Sequence, residues 1–440
     1  MAYPKYQAKG LPVPSGRISR LARFGGLTAS VAGSMAFNGG RQLASGQRPN
    51  MNDLLLTPAN AARFTQQLAQ MRGAAMKIGQ LMSMEASDFL PPEMADVLAH
   101  LRADAHYMPP RQLKKVLIAN WGSDFLRRFE KFDVHPIAAA SIGQVHRATT
   151  RDGRSLAIKV QYPGVRKSID SDVSNVATLL RLSGLLPEGL DIAPYLEEAK
   201  RQLHEEADYE REGQCLADFA KHLKDAPEFI VPKLHADLTT RDLLAMSFVD
   251  GVAIETLCDA PQEERDRVMT LLIGLVLREL FEFRLMQTDP NFANYRYDPE
   301  SGRIILLDFG ATRRFDRDLV RNYREILRAG LSGDQDAAHA AAMALGFLED
   351  DTLPRHREAL LDMFELAMAP LRTPGIFDFG TNALVTRLRD AGMKLGTDPD
   401  FATIPPIDTL YLQRKIGGVY LLASRLRARV DVAGLFAKYI

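Results

Sequence analysis

Three polar side chains in the second half of the chain have the types and spacing of a metal- and phosphate-binding site. Asp289 and Asn294 lie five residues apart in the run QTDPNFAN, and Asp308 follows the apolar run 304–307. Transfer of a phosphoryl group depends mainly on holding magnesium and a polyphosphate in line with an acceptor. The spacing therefore predicts that Asp289 orients the acceptor or a water, while Asn294 and Asp308 bind the metal.

A lysine upstream completes this set of residues. Protein kinases combine such a loop, and an Asp-Phe-Gly after it, with a strand lysine that binds the nucleotide phosphates. Lys159 lies in the alternating run SLAIKVQ, on the face opposite Leu156, Ile158 and Val160. An Asp-Gly turn just before this run predicts that 143–150 pairs with it as an antiparallel hairpin. A lone strand lysine is usually a solvated edge residue, but its order in the chain favours a phosphate ligand.

The segment before that hairpin differs from a kinase glycine-rich loop. Residues 138–144 read AAASIGQ, with a single glycine. Alanine methyl groups restrict φ and the close approach of backbone amides to phosphate, so this loop should be stiffer and should hold nucleotide differently. An ordinary turn or a short helix is the alternative. The predicted nucleotide contacts are Ala138, Ala139, Ala140 and Ser141.

An amphipathic helix is predicted well ahead of these residues. Thr57 and Pro58 form a helix start, and apolar side chains then recur at helical spacing as far as Met82. Lys77 and Gln80, three residues apart, lie together off the apolar stripe. On their own they would be two solvated residues on a helix surface.

The motifs in this order resemble the UbiB (AarF/ADCK) atypical kinase-like family, and most closely its coenzyme Q biosynthesis clade. They are KIGQ, AAASIGQVH, AIK, EAD at 206–208, QTDPNFAN and DFG, and the match runs from about residue 57 to the C-terminus. The resemblance implies an α+β, atypical protein-kinase-like fold with two lobes. The expected segments are a basic tail at 1–52, a helical KxGQ extension at 53–130, an antiparallel-sheet N-lobe at 131–250 and a helical C-lobe at 251–440.

The resemblance also assigns roles to residues outside the kinase pattern. Lys77 and Gln80 would belong to an extension that covers the cleft where a protein substrate would lie. Lys77 would there meet Glu206 and Asp208, so these residues join the expected catalytic set.

A second basic residue, Lys159, would pair with Glu212, which follows Glu206 and Asp208 in the same acidic run. On an ideal helix Glu206 and Glu212 project in different directions, so one helix could serve two lysines. Glu205 lies seven residues before Glu212 on the same face, and spacing alone leaves the pairing of acids and bases open. Without the family pattern, this acidic run would be read as a solvated charged face.

The resemblance implies a protein that binds ATP and Mg²⁺ and hydrolyses ATP in support of ubiquinone biosynthesis. Protein kinase activity is disfavoured because the extension would cover the substrate cleft and no APE-like motif follows Gly310. Two alternatives stay open: a non-catalytic, ATP-dependent scaffold for the biosynthetic enzymes, and a small-molecule or lipid kinase. The expected partners are those enzymes or isoprenoid intermediates, and a homodimer stays open.

Composition limits the remaining function classes. The 440 residues are 46% hydrophobic, enough for a large core, and the formal net charge of zero gives no reason to expect nucleic acid. The 2 cysteines, Cys215 and Cys258, are far apart and lack metal-ligand spacing, which fits a reducing compartment without a structural disulfide or zinc.

The first 52 residues are basic. They contain no acidic residue and seven lysines or arginines, around the small-residue run Phe24–Phe37. That run is shorter than the ~20 residues of a membrane-spanning helix, so a flexible tail and an interfacial segment are both open. Because relatives carry a membrane segment here, we expect contact with anionic lipid headgroups. The expected location is the cytoplasmic face of the inner membrane, or its matrix face in a eukaryote.

Overall fold

The computed structural model describes residues 107–182, 192–381, 383–396, 398, 400–401 and 405–440. Lys77, Gln80, the helix predicted from Thr57 and the run Phe24–Phe37 lie outside the described residues. Contacts divide the chain into two compact units. The first contains the described residues up to Gln214 together with Lys233–Phe248, and the second contains Cys215–Pro232 and Val249–Ile440. The segment bounds expected from the sequence stay a prediction.

Strands and helices alternate in the first part of the chain, and helices predominate after residue 316. The strands are β1 (Phe129–Phe132), β2 (Ala138–Ala139), β3 (Gly143–Thr150), β4 (Ser155–Gln161), β5 (Phe229–Ile230), β6 (Leu243–Ser247), β7 (Val252–Ala253), β8 (Leu285–Gln287), β9 (Tyr295–Asp298), β10 (Arg303–Leu306), β11 (Thr312–Arg314), β12 (Phe377–Asp378) and β13 (Arg429–Val430). The helices are α1 (Pro110–Trp121), α2 (Val165–Leu182), α3 (Ala193–Glu206), α4 (Tyr209–His222), α5 (Gln262–Arg278), α6 (Arg317–Ser332), α7 (Gln335–Ala344), α8 (Pro354–Ala367), α9 (Ala369–Arg372), α10 (Leu384–Gly396), α11 (Ile407–Arg425) and α12 (Val432–Phe436).

The first unit is built on an antiparallel sheet of five strands. The strand order is β1-β3-β4-β6, and β2 pairs with β3 beside this path. The predicted hairpin is confirmed, because β3 pairs with β4 along their whole length. Its turn contains Gly153 at φ +85°, a left-handed conformation that glycine adopts without a Cβ penalty.

The core of the first unit lies on one face of β4. Leu156, Ile158 and Val160 are fully buried there, as the period-two pattern predicted. They pack in one cluster with Trp121, the last residue of α1, and with aromatic residues that follow this helix. The Trp121 indole also donates a hydrogen bond of 2.9 Å to the Leu238 carbonyl. The opposite face of β4 carries Lys159, which is only 7% exposed, so the strand is covered on both faces.

The second unit combines short strands with helices. A four-stranded sheet has the order β5-β10-β9-β7, and β8 pairs separately with β11. After α5 the chain makes a π-helical turn and a left-handed residue, Arg284 at φ 50°, before it enters β8. This turn redirects the chain from a buried helix into the segment that carries Asp289.

The predicted fold class is confirmed by this antiparallel sheet and helical second unit. The described residues contain no helix that is both long enough and apolar enough to cross a bilayer.

Candidate active site

A buried ion pair joins β4 to α4 in the first unit. The Lys159 ammonium donates to both carboxylate oxygens of Glu212, at 2.8 and 3.1 Å. The two residues are 7% and 1% exposed, and Tyr209 places its ring 5.4 Å from the Lys159 nitrogen. The structure therefore contains the pairing of Lys159 with Glu212 that the resemblance implies, which spacing alone left open. A lysine held in this way presents one compact positive charge in a fixed position, which suits a phosphate ligand.

The alanine-rich segment is a tight hairpin rather than a helix. Ala138 and Ala139 form β2 opposite Val145 and Gln144 of β3, and the Ala140 amide donates to the Gly143 carbonyl at 2.9 Å. Both alanines of β2 are exposed. Strand pairing leaves only a short turn between the two strands, and the stiffness of this loop stays a prediction.

Glu206 and Asp208 stand at the junction between α3 and α4. Ser141 donates to Glu206 at 3.1 Å, so the alanine-rich hairpin is tied to the end of α3. Asp208 accepts from the Arg211 amide at 3.1 Å, and Arg241 lies 3.5 Å from its other oxygen. Their expected contact with Lys77 stays a prediction.

The acid that spacing could not separate from Glu212 has other partners. Glu205 accepts from Arg201 at 2.6 Å and lies 3.3 Å from Arg211. The tertiary structure therefore selects Glu212, and not Glu205, as the partner of Lys159.

Asp289 in the second unit is held at both of its carboxylate oxygens. Asn294 donates to Oδ2 at 3.2 Å and to the Asp289 carbonyl at 3.3 Å. Arg414 of α11 donates to Oδ1 at 3.1 Å. The predicted pair Asp289 and Asn294 is thus brought together across one short loop. We call residues 288–294 the Asp289 loop.

Asp308 follows β10 beside the same loop. The Leu307 amide donates to the Asn294 carbonyl at 3.0 Å, which ties the residue before Asp308 to the Asp289 loop. Asp308 Oδ1 accepts from the Gly310 amide at 2.9 Å. Phe309 is 2% exposed and its ring lies 4.9 Å from that of Phe219, so the aspartate is anchored by a buried neighbour.

The chain after Gly310 returns at once to the sheet. Thr312 pairs with Gln287 in the β8–β11 ribbon, and Thr288 donates to the Ala311 carbonyl through its amide and its hydroxyl, at 3.1 and 2.7 Å. Asp316 then caps α6. Between Gly310 and α6 the described chain therefore consists of β11 and short connections on either side of it.

Sequence reasoning missed two cations of α11, Arg414 and Lys415. Arg414 contacts Asp289, and Lys415 is 1% exposed. A signal was present in the run YLQRKIGGVYLL, where two adjacent positive charges interrupt an apolar helix. Charged side chains within such a helix are seldom buried unless they are paired, so their partners could have been sought in the acidic motifs.

The donors present fit magnesium held together with a phosphate ligand. No cluster of three or more acidic, histidine or cysteine side chains suited to a metal occurs among the residues that the structure describes. Magnesium commonly uses only one or two carboxylates, with phosphate oxygens and waters completing its shell. Asp308 and the Asn294 amide oxygen are donors of the required kind. The roles of these two residues as metal ligands stay a prediction.

Comparison with known proteins adds an independent finding. Residues 100–342 match the ABC1 atypical kinase-like domain. The chain is 38% identical over 431 residues to the mitochondrial atypical kinase COQ8 of Saccharomyces cerevisiae, covering 97% of this chain and 85% of that protein. It is also 38% identical to the mitochondrial atypical kinase COQ8B of Rattus norvegicus, over 96% of this chain and 80% of the relative.

A solved structure agrees with these relatives. The Rv3197–erythromycin complex from Mycobacterium tuberculosis superposes with a TM-score of 0.60 at 25% identity, covering 87% of this chain and 95% of the other. The family predicted from the motifs is confirmed, and with it an atypical kinase type of enzyme. The chain belongs to the ABC1 atypical kinase-like family.

Proposed function

We propose that this protein binds ATP with magnesium and hydrolyses ATP in support of ubiquinone biosynthesis at a membrane surface. The observation that carries the proposal is the environment of Asp289. Arg414 and Asn294 fix both of its carboxylate oxygens, at 3.1 and 3.2 Å. A non-catalytic nucleotide sensor has little use for an acceptor-orienting carboxylate held so firmly, whereas an enzyme requires this positioning.

The residues take separate roles in the proposed reaction. Lys159, oriented by Glu212, binds the α and β phosphates, and Asn294 and Asp308 supply the oxygen ligands for magnesium. Bound magnesium neutralises negative charge on the phosphate oxygens. Asp289 accepts a hydrogen bond from the attacking water and so aligns it with the phosphorus atom.

Water is the favoured acceptor over a protein side chain. The short return of the chain from Gly310 through β11 to α6 supports this choice, because a peptide substrate would need a docking segment there. The resemblance to the coenzyme Q clade, together with relatives named COQ8, supports the pathway assignment. The same resemblance and the basic residues of 1–52 support lipid intermediates, the biosynthetic enzymes and an anionic membrane surface as partners.

Phosphate release by the purified full-length chain tests the proposal. With ATP and magnesium, the wild type should release phosphate, and more strongly with vesicles that contain an anionic phospholipid. Asp289→Asn should reduce kcat by about 100-fold, because general-base positioning contributes 10²–10⁴ in rate. Asp350→Asn, at an exposed aspartate of the same unit, is the matched control.

Two outcomes would contradict the proposed enzyme. Nucleotide binding without turnover in the wild type would support a scaffold instead. ATP consumption matched by an equal amount of phosphorylated metabolite or lipid would support a small-molecule kinase. If Asp289→Asn left quinone levels unchanged in a cell that depends on this chain, the catalytic activity would not be required for ubiquinone biosynthesis.

A further inference from the structure

A buried lysine lies beneath the Asp289 loop. Lys415 of α11 is 1% exposed, and its ammonium contacts three groups of the second unit. It donates to the Tyr295 hydroxyl at 2.7 Å and to the Gln287 amide oxygen at 3.2 Å, and it lies 3.4 Å from a carboxylate oxygen of Glu279. The contacts with Tyr295 and Gln287 are hydrogen bonds, and the contact with Glu279 is an ion pair.

Two of these partners bracket the Asp289 loop. Gln287 is the last residue of β8, two positions before Asp289. Tyr295 is the first residue of β9 and directly follows Asn294. One ammonium is therefore bonded to both ends of the loop that carries the proposed catalytic aspartate and one metal ligand.

The third partner, Glu279, stabilises the positive charge of the buried Lys415. Burial raises the pKa of Glu279 to about 7, although Lys415 acts in the opposite direction. Burial also opposes the charge on Lys415, but attraction by Glu279 and Tyr295 outweighs it and raises the lysine pKa. Lys415 is thus the member of the pair that stays charged near neutral pH.

Stability alone does not explain this arrangement. Removing two charges from water is energetically costly, and apolar residues of similar size are often as stable or more stable at such positions. A buried ammonium differs from an apolar side chain in one respect that matters here: it makes directional bonds to two chosen oxygens. These bonds define the separation of Gln287 and Tyr295.

We infer that Lys415 is a positioning residue, which sets the geometry of Asp289 and Asn294 by bonding Gln287 and Tyr295 at the two ends of the Asp289 loop. The inference rests on the proposed ATP hydrolysis. The adjacent residue Arg414 donates a hydrogen bond to Asp289 itself. Helix α11 therefore contacts Asp289 through Arg414 and both ends of the loop through Lys415. A shift of about 1 Å in such a loop can reduce turnover by about 100-fold.

Three variants separate positioning from stability. Lys415→Met removes both bonds to the loop and leaves Glu279 buried without its counter-charge. Lys415→Met/Glu279→Gln removes both bonds and also the buried carboxyl group left without its partner. Glu279→Gln removes the counter-charge and keeps both bonds. The matched control is Lys438→Met, at an exposed lysine of the same unit.

The measurements are melting temperature, kcat and the KM for ATP of the full-length chain. Lys415→Met should lower both the melting temperature and kcat. The double variant should regain most of the melting temperature while kcat stays at least about tenfold low, with a smaller change in KM. Glu279→Gln should lose much less kcat than either lysine variant.

Recovery of kcat together with melting temperature in the double variant would overturn the inference and leave Lys415 a structural residue. If neither lysine variant folds, Tyr295→Phe removes a single acceptor and should still lower kcat; an unchanged kcat in that variant would also overturn it. A wild type without ATP hydrolysis would instead defeat the proposed function, so the two failures are distinguishable.

Discussion

Lys159 and Glu212 form a buried pair whose disruption should affect both stability and the proposed nucleotide binding. The ion pair is bidentate and almost fully shielded from water. Under such conditions the attraction of the two charges is offset by their lost hydration, so the pair gives little net stability. Removing one partner is much more costly, because the remaining charge stays buried.

Lys159→Met should therefore destabilise the protein by about 3–5 kcal/mol and weaken ATP binding. Lys159→Met/Glu212→Gln should regain most of the stability but not the nucleotide affinity, because the phosphate ligand is still absent. Calorimetric ATP titration and chemical unfolding of both variants would measure these effects. The matched control is Lys131→Met, at an exposed lysine of β1. Recovery of ATP affinity in the double variant would contradict the role of Lys159.

His146 is a second residue whose burial has a measurable consequence. Burial lowers its pKa to about 4. Its Nδ1 donates to the Asp133 carbonyl at 2.8 Å, and Gln144 donates to its Nε2 at 2.8 Å. The oxygen of the same Gln144 amide accepts from the Met108 amide at 2.7 Å. Only a neutral imidazole satisfies all of these bonds.

The stability that neutral His146 contributes should thus be complete above its unfolded pKa of about 6.5. It should fall as the pH drops from 6.5 towards 4, by up to about 3 kcal/mol in total. Urea midpoints across that window, compared between the wild type and His146→Gln, would show a smaller pH dependence in the variant. Equal slopes for His146→Gln and the wild type would contradict this assignment.

At the scale of elements, α11 directly contacts the Asp289 loop. Besides Arg414 and Lys415, it brings Gly418 so close to Pro290 that a Cβ at this glycine would overlap the proline Cβ. The sequence predicted the loop residues and the β3–β4 hairpin because both depend on local spacing. It did not predict the contacts of α11, which lies more than a hundred residues further along the chain.

Gly418→Ala should separate α11 from the Asp289 loop. The added methyl should cost about 1–3 kcal/mol of stability. It should lower kcat by a larger factor than it changes the KM for ATP. Gly417→Ala is a neighbouring control, because a Cβ there meets nothing within 4 Å. That substitution should be neutral or stabilising by up to about 1 kcal/mol, as expected for alanine in a helix. Melting curves and ATPase rates of the two variants would test the contrast, and equal effects would contradict it.

At the scale of the whole molecule, the described residues form two compact units with separate chemical contributions. The first holds the Lys159–Glu212 pair, and the second holds Asp289, Asn294 and Asp308. The basic residues of 1–52 lie outside the described part of the chain, so their proposed role is argued from the sequence.

The full-length chain should sediment with vesicles that contain an anionic phospholipid, and less with zwitterionic vesicles. Replacing the seven basic residues of 1–52 by glutamine should abolish most of this difference, because each contributes about 1 kcal/mol near such a surface. The binding should also weaken as salt is raised. Phosphate release without vesicles is the control that the variant remains folded. Undiminished sedimentation of the variant would contradict a role for these charges.

The sequence by itself determined the family, the kinase-like fold class and the acidic and basic residues of the motifs. These depend on residue type and short spacing, as in the five-residue interval from Asp289 to Asn294. Only the tertiary structure decided which of several acids pairs with Lys159 and which distant cations support the Asp289 loop. Both depend on where helices pack, and α11 reaches that loop through contacts between residues that are more than a hundred positions apart.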